Sequence, residues 1–415
     1  MPGASHLTRA DAEALDAADE LAAVRAEFLL PEGLVYLDGN SLGALPRRAA
    51  ERLREVVERE WGQDLIRSWN ANGWIDLPGR VAGLIAPLIG ASADEVAVAD
   101  STSVNVFKLL AGALRLRPGR RVILSEEANF PTDLYVAQGL ASLLGDVELR
   151  LVRRDGLRAA LGDDVAVLLL THVDFRTGEI HDMAGLTRAA HEAGALALWD
   201  LAHSAGAVPV DLDGGEADLA VGCGYKYLNG GPGAPAFAFV ARRWQPAFES
   251  PLSGWMGHAS PFAFGARYEP APGVGRLLCG TPPILSLAAL ECGVETVARA
   301  GIARLRRKSM ALSGLFVRLV EQECGAFGFT LASPREADRR GSQASLRHPE
   351  GYAIVQALAA RGVIGDFRTP DILRFGFAPA YVRFADAWDA VAALRAVMEN
   401  HEWQRPALQA RGRVT

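Results

Sequence analysis

Between about residues 93 and 240 the chain alternates short, nearly uninterrupted apolar runs with longer stretches of helical periodicity. The apolar runs fall at 96–99, 121–124, 147–152, 165–170, 196–199, 219–221 and 236–240. Helices are expected from Ser103, from Thr132 and over 183–193. Strands that are apolar on both faces and separated by helices belong to a mainly parallel sheet covered on both sides. No helical stretch separates the last two runs, so a local antiparallel return is expected there.

Outside this region the pattern is less regular. Thr8-Arg9-Ala10-Asp11 has the form of a capping box and opens a helix expected to reach about residue 30, where Pro31-Glu32-Gly33 ends it. A short strand at 34–37 leads into Asp38-Gly39-Asn40-Ser41-Leu42-Gly43, and Pro46 starts a helix running to about residue 61. After Pro282-Pro283 a helix is expected from Ile284 to about Ala300, as an exit from the sheet region. The rest reads as a smaller α/β unit. The expected organisation is α/β: an N-terminal segment (1–60) serving the small domain and an interface, a large domain (61–300) and a C-terminal small domain (301–415).

Composition narrows the possibilities. With 415 residues, 50% hydrophobic and 22% charged, the chain can bury large cores. A net charge of −6 argues against a general nucleic-acid binder. No apolar run approaches the roughly 20 residues that span a bilayer, and the N-terminus leads into an acidic amphipathic helix, so a cytoplasmic enzyme is expected. Cys223, Cys279, Cys292 and Cys324 are far apart and form no CxxC, which fits a reducing compartment.

Of the 43 Lys+Arg residues only Lys108, Lys226 and Lys308 are lysine. A lysine kept among so much arginine is a candidate for chemistry a guanidinium cannot do, such as Schiff-base formation. Lys108, in an apolar helical run, and Lys308, in a basic stretch, read as surface positions. Lys226 lies between a short strand and a glycine-rich loop, flanked by Tyr225 and Tyr227; locally it reads equally well as a solvated turn.

Ligands of parallel α/β sheets gather at the carboxyl ends of the strands. One strand there delivers Asp200-Leu201-Ala202-His203-Ser204, and Asp200 precedes Lys226 by 26 positions. Another delivers Thr171-His172-Val173-Asp174, and a third leads to Asn129-Phe130-Pro131-Thr132-Asp133. The first helix of the region opens on Asp100-Ser101-Thr102-Ser103, either a plain N-cap or an anion site. An amine, a carboxylate and a hydroxyl-rich helix start are what pyridoxal phosphate requires for its aldehyde, ring nitrogen and phosphate. Other sites have less support. There is no G-x-x-x-x-G-K-[ST], no G-x-G-x-x-G after a strand and no G-x-S-x-G. His172, Asp174, His181 and Asp182 lack a metal-binding pattern, so no metal is expected.

Five segments together resemble the kynureninase family: Tyr36-Leu37-Asp38-Gly39-Asn40-Ser41-Leu42-Gly43, Phe130-Pro131-Thr132-Asp133, Asp200-Leu201-Ala202-His203-Ser204-Ala205-Gly206, Gly224-Tyr225-Lys226-Tyr227-Leu228-Asn229 and Arg374-Phe375-Gly376-Phe377-Ala378-Pro379. The resemblance runs from about residue 30 to about residue 399. It implies a homodimeric fold-type-I pyridoxal-phosphate hydrolase of the class-V aminotransferase superfamily. Such an enzyme converts L-kynurenine to anthranilate and L-alanine in tryptophan catabolism, on the route to NAD biosynthesis, and handles 3-hydroxykynurenine less well.

The resemblance also implies residue roles. Lys226 carries the Schiff base and removes the α-proton, Asp200 pairs with the ring nitrogen, and Asp133 stands nearby. Phe130, by itself a plausible core aromatic, stacks on the ring; Thr171 and His203 line it. Thr102, Ser103 and Tyr225 hold the phosphate, with Trp255 and Thr281 reaching it from a second subunit. Arg374 clamps the substrate carboxylate, Asn40 and Ser41 lie at the substrate, and Tyr225 is the candidate general acid or base. Trp69 and Gly280 match the bacterial pattern, a pocket for the unhydroxylated ring. Thr102-Ser103-Val104-Asn105 departs from the commoner wording, which has a more apolar residue followed by threonine. The rivals are a cysteine desulfurase or selenocysteine lyase, which would need a mobile cysteine such as the turn-like Cys324 or a selenol-specific pocket, and a non-catalytic relative of the fold.

Overall fold

In the computed structural model, which describes residues 6–412, the apolar runs form one seven-stranded sheet. Its strands are β1 (Val96–Val98), β2 (Val122–Glu126), β3 (Glu148–Val152), β4 (Val165–Thr171), β5 (Leu196–Asp200), β6 (Leu219–Gly222) and β7 (Phe237–Val240). Their order is β1-β7-β6-β5-β4-β2-β3. The run from β6 to β3 is parallel, and β7 is antiparallel to both β6 and β1. The expected antiparallel return is therefore present. Alternate residues feed two separate cores: Val122, Leu124, Leu168, Leu170 and Trp199 pack on one face, and Ile123, Val167, Leu169, Leu198 and Val221 on the other. This period-two split is why the central strands read as nearly continuously apolar, while the edge strand β3, with Glu148 and Arg150, does not.

Helices α1 (Thr102–Leu116), α2 (Pro131–Leu144) and α3 (Met183–Glu192) cover the sheet. A long helix, α4 (Ile284–Ala300), follows the Pro282-Pro283 pair, with bounds as expected. It stops at Gly301, whose φ of 81° an L side chain rarely adopts. Next comes α5 (Ile302–Cys324). A second sheet is built from β8 (Thr330–Leu331), β9 (Gln343–Arg347), β10 (Asp366–Arg368) and β11 (Ile372–Gly376), in the order β8-β9-β11-β10. The N-terminal segment joins this part of the chain, because Val35–Tyr36 pairs in parallel with Val363–Ile364.

Four expectations need correction. The first helix spans only Arg9–Ala17, because the Asp19 side chain accepts from the Leu21 N–H at 2.9 Å and turns the chain. The helix after Pro46 is α-helical over Arg47–Glu55 and then widens to a π-helix over Val56–Asp64. There Glu60 is buried, accepting from Trp74 Nε1 and Arg52 Nη1, both at 2.6 Å. Lys108 and Lys308 are buried, not on the surface. Lys108 Nζ bonds the Asp100 carboxylate and donates to the Leu277 carbonyl at 2.6 Å, while Lys308 Nζ pairs with Asp19 at 2.7 Å. Cys324 is not in a turn but fully buried at the end of α5, and burial pushes its thiol up to about 12.

Candidate active site

The carboxyl ends of β4, β5 and β6 converge with β9 and β11 of the second sheet. Lys226, four residues past the end of β6, is buried, with Nζ 3.0 Å from His203 Nε2. The Phe130 and Tyr225 rings stand 5.9 and 5.7 Å from the amine. Burial holds the Lys226 pKa below the usual lysine value, against the opposing pull of Cys223 and Asp200. His203 is pushed well down, by burial first and then by Lys226, Arg374 and Arg368. Its imidazole is therefore neutral.

Asp200 ends β5 and accepts from the Ala202 N–H at 2.7 Å. Asp133, in the first turn of α2, lies against it. Burial raises both carboxyls, and the charge of Asp200 raises Asp133 further. Asn129 ties this corner together: its Oδ1 accepts from the Thr171 N–H at 2.7 Å and from the Thr171 hydroxyl, while its Nδ2 faces Asp133 at 3.5 Å. Two buried carboxylates side by side are costly unless a cation joins them. A protonated ring nitrogen is such a cation, so the pair fits the cofactor.

Ser101 caps α1 by accepting from Val104 N–H at 3.4 Å, so Ser101 is the cap, while Thr102 and Ser103 follow in the first turn. Their N–H groups have no partner within the helix, which suits a phosphate. Tyr225 is half-buried, and burial raises its hydroxyl well above the ordinary tyrosine value.

Arg374 on β11 is fully buried. Its Nε donates to Asp366 Oδ1 at 2.7 Å, its Nη1 to the Phe175 carbonyl at 2.7 Å and its Nη2 to Ser41 Oγ at 2.8 Å and to Asp366 Oδ2. Asn40 is fully buried over Gly376, where a Cβ on the glycine would strike its amide, and neither amide atom has a hydrogen-bond partner. Asp38 Oδ1, His203 Nδ1, Gln343 Oε1 and Ser345 Oγ are also buried without partners. Such atoms are rare in folded proteins; here they cluster where a polar ligand would sit.

Trp69, Trp255 and Thr281 lie elsewhere. With Ile66, Asn70, Ile75 and Phe262 they line a cavity of about 590 Å³ that Lys226 does not border. Gly280 precedes Thr281, and a Cβ there would meet open space. Within one chain the expected residues thus form two groups. Of the residues once considered for a metal, His172 bonds Ser204, His181 bonds Glu126, Asp174 accepts from backbone N–H groups and Asp182 caps α3. Sequence reasoning missed Asp366, Asn129 and Gln343. Strand register brings Asp366 opposite Arg374, and no local motif signals it.

Comparison with known proteins agrees with this chemistry. Among solved structures, a cysteine desulfurase from Thermococcus onnurineus NA1 superposes with a TM-score of 0.78 at 18% identity, covering 91% of this chain and 98% of that one. A C-DES mutant with glycine covalently linked to its PLP cofactor gives 0.79 at 18%, covering 89% and 98%. The molecule is a fold-type-I, pyridoxal-phosphate-dependent enzyme. Residues 305–394 match the family model described as the kynureninase C-terminal domain. Kynureninases of Burkholderia mallei (strain SAVP1) and Pseudomonas fluorescens are 56% and 54% identical over 414 residues, 98% of this chain and 100% of each relative. The chain belongs to the kynureninase family, hydrolases of carbon–carbon bonds in ketonic substances.

Proposed function

We propose that the enzyme hydrolyses L-kynurenine to anthranilate and L-alanine, with 3-hydroxykynurenine the poorer substrate, as a cytoplasmic homodimer in tryptophan catabolism. The observation that carries this reading is a buried amine, Lys226, within electrostatic reach of the Asp133/Asp200 pair and of the Arg374 guanidinium. An α-amino acid offers its carboxylate to Arg374 and its amino end toward Lys226.

The roles follow from position. Lys226 would hold the cofactor through its amine. The same amine would take the substrate's α-proton; the lowered pKa leaves it unprotonated more readily than a surface lysine. The cofactor supplies an electron sink for charge that develops on the substrate. Asp200 keeps the ring nitrogen protonated, and Asp133 supports it. Phe130 packs on the ring, and Thr171 and His203 line it. Thr102, Ser103 and Tyr225 bind the phosphate. Tyr225 Oη stays protonated at neutral pH and can donate its proton at the γ-carbonyl. Asn40 and Ser41 fix the substrate beside Arg374.

Trp255 and Thr281 are assigned to the neighbouring subunit's phosphate, and Trp69 with Gly280 to a pocket for the aryl ring. Their separation from Lys226 within one chain supports composite sites. So does the exposed apolar surface around them: Ile66 is 76% exposed, Phe262 62% and Phe264 78%. The division at about residues 60 and 300 belongs to the same reading, as does the N-terminal segment's service to the small domain. A desulfurase mechanism requires a mobile thiol, and Cys324 is buried with a raised pKa. The deciding experiment is an anthranilate assay with both substrates and a parallel test for alanine release from cysteine. Turnover of cysteine alone would overturn the reading.

A further inference from the structure

Asp100, between β1 and α1, has a φ of 52°, in the left-handed region that residues with a side chain rarely adopt. Its carbonyl still accepts from the Ala236 N–H at 2.9 Å, so the chain reverses directly off the sheet. Ser101 then caps α1, and Thr102 and Ser103 form its first turn. The direction in which that turn faces is therefore set at Asp100.

Two buried side chains of α1 reach back to this reversal. Asn105 Nδ2 donates to the Ala99 carbonyl at 2.9 Å. Lys108, three positions further and on the same side of the helix, is fully buried and bonds the Asp100 carboxylate. Its Nζ also donates to the Leu277 carbonyl at 2.6 Å, on the segment that runs on to Thr281. The Asp100 side chain is 29% exposed, so contact with water alone would leave it free to move; the buried ammonium fixes it.

We propose that Lys108 is a positioning residue for the cofactor's phosphate. Anchored on Leu277, its ammonium holds Asp100 in the left-handed conformation that presents the first turn of α1, with Thr102 and Ser103, to the phosphate. The pairing also neutralises a carboxylate that would otherwise repel a phosphate at the start of the same helix. This inference rests on the assignment of Thr102 and Ser103 to the phosphate.

The test titrates apoenzyme with pyridoxal 5′-phosphate and with pyridoxal, which lacks the phosphate, and reads binding from visible absorbance. Lys108→Met should weaken binding of the phosphorylated form by roughly 5- to 30-fold, the cost of a left-handed residue that is no longer held. Binding of pyridoxal should not change. Two double variants separate backbone from charge. Lys108→Met/Asp100→Gly and Lys108→Met/Asp100→Ala both remove the whole ion pair and carry the same net charge. Glycine takes up a positive φ freely and alanine does not. The glycine variant should recover most of the affinity for the phosphorylated form, and the alanine variant should not. If Lys108→Met does not fold, the two double variants decide, because neither leaves a charge unpaired. Unchanged affinity for the phosphorylated form in Lys108→Met, an equal loss toward pyridoxal, or equal affinities in the two double variants overturns the proposal. With Lys108 and Asp100 intact, Thr102→Val/Ser103→Ala should weaken binding of the phosphorylated form alone. If it does not, the phosphate assignment itself has failed, and that failure appears without any change at Lys108.

Discussion

Asp366 holds Arg374 along one edge of its guanidinium, taking Nε at 2.7 Å on Oδ1 and Nη2 on Oδ2. Strand register makes the pair: Asp366 on β10 stands directly across from Arg374 on β11. One edge of the fork is thereby committed; Nη2 also donates to Ser41 and Nη1 to the Phe175 carbonyl, so a carboxylate would meet the remaining N–H of Nη1. Both side chains are buried, so removing one charge leaves the other uncompensated. Asp366→Asn should lower stability by about 3 kcal/mol and reduce kcat/KM by roughly tenfold or more. The loss should fall mainly on KM, with the cofactor's visible absorbance preserved. Thermal melts and steady-state kinetics on the holoenzyme check both parts; a variant with wild-type KM would show that Asp366 does not orient the clamp.

Asp38 supplies a pH dependence. Burial and then the charge of Asp366 push its carboxyl up to about 7, against Ser41, Arg374 and Arg368. The folded protein therefore binds a proton at Asp38 that the unfolded chain, titrating near pH 4, has already released. Stability must fall as pH rises from about 4 to about 7 and level off above. Asp38→Asn removes this term and should stabilise the apoenzyme at pH 8 by on the order of 2 kcal/mol, with little gain at pH 4. Denaturant melts of both proteins at the two pH values measure the difference. Equal gains at pH 4 and 8 would mean that Asp38 does not titrate in this range.

The parallel sheet was legible because its strands are apolar on both faces, a pattern little else produces. The meeting of Lys226 with His203 and Asp200 was legible in placement, because both segments follow strand ends of one parallel sheet. Asp366, Asn129 and Gln343 were not. Each acts through a partner between 8 and 168 positions away, Asp366 on Arg374, Asn129 on Thr171 and Gln343 on the Phe175 carbonyl, and the sheets alone bring them together. Lysine scarcity also misled in part. Lys108 and Lys308 are buried structural cations, so burial does not distinguish Lys226. What does is its imidazole neighbour and nearby carboxylates, where Lys108 and Lys308 each pair with one aspartate.

Composite sites predict complementation. Lys226→Ala should lose the cofactor link, and borohydride should trap none at that position. Trp255→Ala should lose phosphate grip in its neighbour's site. A mixed dimer carries one site with both native contributions, so refolding the two variants together should recover about a quarter of wild-type activity. Recovery no greater than the sum of the separate variants would place Trp255 and Lys226 in the same subunit's site.

The pocket proposed for the aryl ring is the cavity of Trp69, Trp255 and Thr281. Its lining is mostly apolar, with Asn70 and Thr281 as polar members. Burying a hydroxyl without a partner costs about 1–3 kcal/mol, or roughly 5- to 150-fold in discrimination. The two polar side chains soften that cost, so a preference of about tenfold for L-kynurenine over its 3-hydroxy form is expected, toward the lower end of the range. Trp69→His together with Gly280→Ser adds a ring nitrogen and a hydroxyl at the same surface. The Cβ at position 280 meets nothing within its own chain, so the substitution costs no internal repacking. The double variant should move the ratio of specificity constants toward the hydroxylated substrate while leaving the cofactor's absorbance unchanged. Equal specificity constants in the unsubstituted enzyme would mean that the aryl ring binds elsewhere.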